Sequence, residues 1–576
     1  MVVEPRRLLT TLLACASFAA SPWSISKAES LDDVITEYES LARQTDANEG
    51  PGWPDVSRAA AKRREATYVE LQNRLGALET AGFTAEDALT RELLLWRLQV
   101  LLDGARFDED RVPFDNGDGF FNAATYAAQV TVIANESDAA AWIGRLQKLP
   151  EYYEAQIANM RRGIATGFTQ PRSTAESALR VAKVMADQAA SDSPLLKPLA
   201  AMPATIPAVR QQTLRADALA TVDRFVKPAQ RSLVTFFDKE YLPKARSRLG
   251  ASTLPNGKAY YQFAVRRATT TDLGPDEVFA IGAAEMERIR GEMLDAQRAD
   301  GFQGTLREYF DDMSRRPGSH APDIETYVDR ASGIGNRISL ELPRWFKTLP
   351  RLTWGVRVKP PELEAASGAY NLGDPAKGVA GAVVVGSQAY RGSVAALTAW
   401  MLHEGVPGHH LQIALAQERF DLPMFRRRDD VTAFVEGWAL YAERLGAEMG
   451  IYRSREERVQ QLSFEMWRAC RLVMDVGIHW KHWSAEQAAS CLSENSALSP
   501  DAVAGETQRY IAWPGQALAY KIGELRIRKI RSEAERSLGA RFDIREFHDA
   551  LIGSGPMPLD ILERRMRRWQ QQGNGS

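Results

Sequence analysis

Three of the chain's seven histidines fall within eight residues, in Leu402-His403-Glu404-Gly405-Val406-Pro407-Gly408-His409-His410-Leu411-Gln412. No regular helix can hold that stretch as one metal-binding face. On a helix turning about 100° per residue, a pair six apart points about 120° apart, and a pair seven apart is separated by about 10 Å along the axis. Neither could share one ion, whereas an i, i+4 pair could. Pro407 lacks the N–H that would bond the carbonyl of His403, and its ring clashes with that carbonyl. With Gly405 and Gly408 beside it, a local bulge is expected to absorb the two extra residues and return His409 to the face of His403. His409 is the preferred second ligand, because glycine precedes it directly; His410 is the alternative.

Two imidazoles, a carboxylate ligand and a separate carboxylate base make up the donor set of a water-activating zinc site. The second carboxylate is supplied downstream, by Glu436 in the apolar segment Phe434-Val435-Glu436-Gly437-Trp438-Ala439-Leu440-Tyr441. A carboxylate with those neighbours needs a strong partner if it is buried. The expected roles are therefore His403, His409 and Glu436 as Zn2+ ligands and Glu404 as general base. Glu443, seven residues past Glu436, is the substitute ligand or an outer residue. The same donors also suit Mn2+, Co2+ or Fe2+.

These motifs resemble the signature of the bacterial family called domain of unknown function 885, which is grouped by fold with the gluzincin metallopeptidases. The resemblance rests on His403-Glu404-Gly405-x-Pro407-Gly408-His409-His410-Leu411-Gln412. It is supported by Glu240-Tyr241-Leu242-Pro243, Gly282-x-x-Glu285-x-x-Arg288-Ile289, Asp475-x-Gly477-x-His479 and Pro514-Gly515-Gln516-Ala517-x-Ala519-Tyr520-Lys521-Ile522-Gly523. More distantly, the pattern is similar to the Taq-type carboxypeptidases, the thimet oligopeptidases and angiotensin-converting enzyme, from which it departs by two inserted residues. The resemblance implies a mainly α, two-lobed metallopeptidase-like fold with a central cleft and a small β-sheet beside the zinc helix. It also implies an oxyanion donor well downstream of the glutamate ligand. Tyr520 is the first candidate, with Arg509 and Tyr510 behind it and His479 as a further donor. The β-favouring run Ala382-Val383-Val384-Val385 is expected to be a strand, either the edge strand that holds substrate backbone or a member of a small structural sheet, with Tyr370-Asn371 lining the cleft.

The rest of the chain sets wider bounds. At 576 residues it exceeds the size at which one core stops growing. The expected division is an N-terminal helical lobe over 29–240 and a catalytic, zinc-binding helical lobe over 241–576. Glu29 to Leu101 and Ala139 to Val222 carry apolar residues at three- and four-residue spacing, the amphipathic helical pattern. Phe114-Asp115-Asn116-Gly117-Asp118-Gly119 reads as a surface loop. A net charge of −2 gives no reason to expect nucleic acid or a membrane surface as partner.

Residues 1–28 read as a signal peptide: Arg6-Arg7, an apolar stretch from Leu8 to Ala20, and a small-x-small site at Ser26-Lys27-Ala28. Leu12-Leu13-Ala14-Cys15 is similar to a lipobox, which adds a lipid anchor at Cys15 as a second reading. The expected location is periplasmic or secreted, with no membrane span. Cys470 and Cys491 are either a disulfide or two buried thiols. The leading expectation for function is a zinc peptidase acting on short peptides. The alternatives are a zinc amidase acting on a non-peptide amide, and a catalytically inactive peptide-binding protein on a peptidase fold. Which end of a peptide is recognised, and the oligomeric state, stay open at this level.

Overall fold

The computed structural model describes residues 29–48, 50, 52–359, 370–375 and 377–574. The signal segment and Cys15 lie outside the described residues. The fold is mainly α, with one three-stranded sheet, β1 (Trp354–Val358), β2 (Tyr370–Asn371) and β3 (Gly381–Val385). Seven helices position the site: α1 (Pro275–Ala299), α2 (Leu397–Glu404), α3 (His409–Gln417), α4 (Thr432–Glu448), α5 (Arg455–His479), α6 (Pro500–Ala512) and α7 (Ala519–Leu538).

The α4 helix is apolar nearly all round, so it is buried rather than half-exposed. Phe434, Trp438, Leu440, Tyr441 and Leu445 all join the largest core cluster. Its closest neighbour is α7, and the two backbones touch. A Cβ on Gly437 would lie 2.6 Å from Gly523 Cα, and one on Gly523 would lie 2.0 Å from the Ala433 carbonyl. Only glycine permits that approach. The crossing fixes the site: Glu436 precedes Gly437, and Tyr520 stands three residues before Gly523, one turn away.

The described residues form four core clusters. The largest surrounds α2, α4 and α7 and includes Leu89 and Leu93 from near the N-terminus. A second runs from Phe114 to Tyr241, a third lies between α1, α5 and α6, and a small fourth involves Leu31 to Leu98. Cys470 and Cys491 form a disulfide inside the third, with Cα atoms 5.9 Å apart.

The sheet follows the second of the two expectations, a strand within a small structural sheet. Strand β3 is central, parallel to β1 and antiparallel to β2, and every residue in it is buried. It pairs with β1 along its whole length and with β2 at Ala382 and Val383. The edges fall to β1 and β2, and β3 packs against α3 instead.

Candidate metal centre

The expected bulge is a full break. Helix α2 ends at Glu404 and α3 begins at His409, joined by Gly405–Gly408 with a cis Val406–Pro407 bond. The connector folds back on the end of α2, where a Cβ on Gly408 would meet the His403 carbonyl oxygen at 1.9 Å. From α4, the Trp438 indole N–H donates to the Pro407 carbonyl at 2.8 Å and ties the connector down.

This arrangement brings His403, His409 and Glu436 together, with one potential ligand atom of each within 4.8 Å of the others. Glu436 Oε2 stands 3.3 Å from His403 Nε2 and 3.4 Å from His409 Nε2. A tetrahedral ion with bonds of about 2.0–2.1 Å spaces its ligand atoms about 3.3–3.4 Å apart. Glu436 Oε2 is also buried without a hydrogen-bond partner among the described residues, although two ring nitrogens are near it. The three side chains therefore converge on a common point instead of bonding one another, and they fit a small divalent cation.

The electrostatics agree. Burial opposes charge on His403, but the Glu436 and Glu443 carboxylates outweigh it and hold its pKa up at about 9. Burial likewise pushes the Glu436 carboxyl up, and His409 and His403 pull it well below the usual carboxylate range. The pocket favours positive charge at its centre. Glu443, one of the residues held in reserve as ligands, bonds the far side of His403: its Oε1 lies 2.7 Å from Nδ1, and it is fully buried. Arg468 faces the same carboxylate oxygen at 3.3 Å. A carboxylate on Nδ1 fixes the proton there and turns the Nε2 lone pair toward the metal position.

Glu404 ends α2, is half-buried, and its carboxylate makes no hydrogen bond or ion pair among the described residues. His410 points elsewhere: its Nδ1 accepts from the Tyr370 hydroxyl at 2.8 Å, and its Nε2 donates to the Leu352 carbonyl at 3.1 Å. It clamps the sheet to α3, and Tyr370 serves that clamp rather than an open cleft.

Tyr520, in the first turn of α7, is buried, and burial followed by the Glu436 carboxylate raises its pKa. It stays a phenol and a donor. Arg509 Nη2 donates to its hydroxyl at 3.1 Å, and the Arg471 guanidinium lies 4.1 Å from its ring centre. Tyr510 is turned away, donating its hydroxyl to Glu506 Oε2 at 2.5 Å. His479 is not part of the centre. Its Nδ1 accepts from the Ala251 N–H at 3.0 Å and its Nε2 donates to the Tyr510 carbonyl at 2.8 Å, and burial drives its pKa down to about 3. Nearby Asp475 instead receives the Tyr261 hydroxyl at 2.7 Å and the Gly515 N–H. His548, bonded to Tyr441 and Trp345, is equally structural.

Two cavities, of about 1430 and 690 Å³, share Asp115, Asp118, Tyr126 and Trp513 in their walls. The larger reaches Glu506 and Arg509, and the smaller reaches Thr432 at the start of α4 and Gln516. The ligands line neither wall, although Glu436 keeps 18% of its side chain exposed. Reading residues alone assigned no role to Glu506 and left the Asp115 loop as plain surface. The i, i+3 spacing of Glu506 and Arg509 was the available signal for the first.

The family model described as bacterial protein of unknown function (DUF885) matches residues 44–566. The chain belongs to that family. Among solved structures, it is similar to the putative lipoprotein from Colwellia psychrerythraea at 25% identity and a TM-score of 0.88, covering 94% of this chain and 98% of that one. A putative lipoprotein of unknown function from Shewanella oneidensis shares the fold at 18% identity and a TM-score of 0.67, covering 94% of this chain and 100% of that one. No curated protein matches the chain.

Proposed function

We propose that this family member is a zinc-dependent hydrolase that cleaves amide bonds in short peptides. The observation that carries the reading is the convergence of His403 Nε2, His409 Nε2 and the unpartnered Glu436 Oε2 on one point, with an unpaired carboxylate, Glu404, directly after the first ligand. A zinc ion held by those three residues supplies Lewis acidity, polarising a carbonyl and making water more acidic.

The chain's own groups do the rest. A Glu404 carboxylate oxygen takes a proton from the attacking water and returns it to the leaving nitrogen. The Tyr520 phenol, kept protonated by burial and by Glu436, donates to the oxygen on which charge develops. Arg509, bonded to the same hydroxyl, holds that donor in place. Glu443 holds the His403 tautomer from behind. The lipobox-like Leu12-Leu13-Ala14-Cys15 and the lipoprotein descriptions of the two solved relatives support export, with a lipid anchor at Cys15.

Metal analysis of the purified mature protein is expected to find about one zinc per chain, lost in Glu436→Ala. Glu404→Gln is expected to keep the zinc and to lose about 10²- to 10⁴-fold in turnover of a mixed peptide library followed by mass spectrometry. Wild-type protein with neither metal nor cleavage would remove the hydrolase reading.

A further inference from the structure

We infer that the Arg509 end of the larger cavity recognises the free C-terminal carboxylate of the substrate, so that cleavage releases one or two residues from the carboxyl end. This rests on the proposed hydrolase reading for where cleavage occurs, but not for the recognition itself.

Arg509 lines the cavity with 26% of its side chain exposed. Beneath it, Arg471 is buried, and its Nη1 has no hydrogen-bond partner among the described residues. Both guanidinium groups sit against the Tyr520 ring, at 4.1 Å for Arg471 and 5.9 Å for Arg509. Among the described residues, one carboxylate pairs with both. Glu506 Oε2 lies 3.1 Å from Arg471 Nη2 and also takes the Tyr510 hydroxyl, while Oε1 stands 3.5 Å from Arg509 Nη1. Across the cavity, Asp115 feels the Arg509 charge; burial and then Asp118 push its carboxyl up to about 6, so it is still largely ionised at neutral pH. Asp115, Asp118, Asp187 and Asp192 also line the cavity, but at the Arg509 end two guanidiniums share the one bonded carboxylate and Arg471 keeps a buried donor unused. A planar guanidinium presented edge-on is the usual partner of a carboxylate.

Position gives the register. Arg509 Nη2 is 3.1 Å from the Tyr520 hydroxyl, so a carboxylate on Arg509 lies within a few ångströms of that hydroxyl. If the hydroxyl serves the carbonyl under attack, an extended chain advancing about 3.3–3.6 Å per residue reaches the carboxylate one or two residues downstream.

Two matched peptide libraries, one with free carboxyl ends and one with C-terminal amides, separate this inference from the hydrolase reading. With the wild-type zinc form, free acids are expected to lose one or two C-terminal residues. Amidation should lower kcat/KM on the order of 10- to 100-fold, mostly in KM. Arg509→Gln should cost the acids on the order of 10- to 100-fold more in kcat/KM than it costs the amides, with metal content unchanged; an equal loss on both libraries would leave Arg509 only the support of Tyr520 and overturn the inference. Affinity selection of the same libraries on Glu404→Gln protein reads recognition without chemistry and should enrich the acids. Cleavage at internal or N-terminal bonds irrespective of the end group, or selection without acid preference, overturns the inference and leaves the hydrolase reading intact. Selection of acids by a protein that cleaves nothing overturns the hydrolase reading and supports carboxylate recognition. Retention of neither library overturns the inference.

Discussion

Among the described residues, two places in the core gather three potential ligand side chains within 4.8 Å, and they settle their charge in opposite ways. At Glu285, Glu465 and Glu524, the cation is built in. Lys521 Nζ sits 3.0 Å from Glu285, 2.9 Å from Glu465 and 2.9 Å from Glu524, and it is completely buried. Arg288, Arg444 and Arg528 close the network from outside. Among the described residues, no guanidinium pairs with His403, His409 or Glu436; Arg468 pairs with Glu443, behind His403. The Glu404, Glu436 and Glu443 carboxylates then exceed the fixed cations, and a ligand oxygen is left without a hydrogen bond. A cluster that carries its own ammonium is a strut; one that leaves the central charge to be supplied from outside has the charge balance of a candidate binding site.

Removing the built-in cation should have the largest consequence. Lys521→Met keeps much of the volume but leaves three carboxylates facing each other. Breaking a buried ion pair from one side costs about 3–5 kcal/mol. Urea unfolding of the metal-free protein should show that loss, and added zinc or calcium should not restore it. Recovery with a divalent ion would break the contrast, because the glutamate trio would then be a latent metal site.

A smaller effect is expected on the other side. Glu443→Gln still lets a side-chain oxygen accept from His403 Nδ1 but removes the charge behind the ring. Outer-shell changes of this type cost 10- to 100-fold in metal affinity, or about 1.4–2.7 kcal/mol. Competition with a chelator of known affinity measures the loss, with Glu465→Gln as the control that should leave zinc binding unchanged. Equal affinities for Glu443→Gln and wild type would mean that Glu443 serves only to anchor Arg468.

The two clusters also differ in how far residues alone lead to them. The metal trio is legible because His, Glu and Pro-Gly stand at a spacing that forbids one regular helix, and because a lone carboxylate follows in an apolar segment. The form of the break is not legible locally. Whether the chain bulges or stops depends on Trp438, 31 residues beyond Pro407, reaching back to its carbonyl. The central position of β3 is likewise set by pairing with β1 and β2, which its own valines do not reveal. The lysine cluster is harder still. Glu285, Arg288 and Lys521 belong to stretches that mark the family, yet a charged residue on a helix reads as solvated until the packing of α1, α5 and α7 is known. The helical class survives all of this, since it rests on periodicity repeated over many segments.

Acid should expose the remaining difference, and by the smallest amount. Burial alone would raise the pKa of Glu285, but hydrogen bonds from Arg288 and the Lys521 charge outweigh it and hold it down to about 2, against 4.5 for the free side chain. A carboxyl whose folded pKa is depressed contributes stability that is fully present above the unfolded value and lost as pH falls through the folded one. Between about pH 4.5 and 2, the metal-free protein should therefore lose stability from this group. The loss should be on the order of 1–2 kcal/mol, allowing for the partial exposure of the Arg288 pair. Glu285→Gln should flatten that part of the curve while starting from a lower plateau near neutrality. Working with chelator present keeps the histidine centre out of the measurement, since a metal released by protonation of its ligands would add its own acid limb. An acid limb of equal depth in Glu285→Gln and wild type would show that the glutamates around Lys521 are not held ionised by it, and the strut would lose its electrostatic explanation.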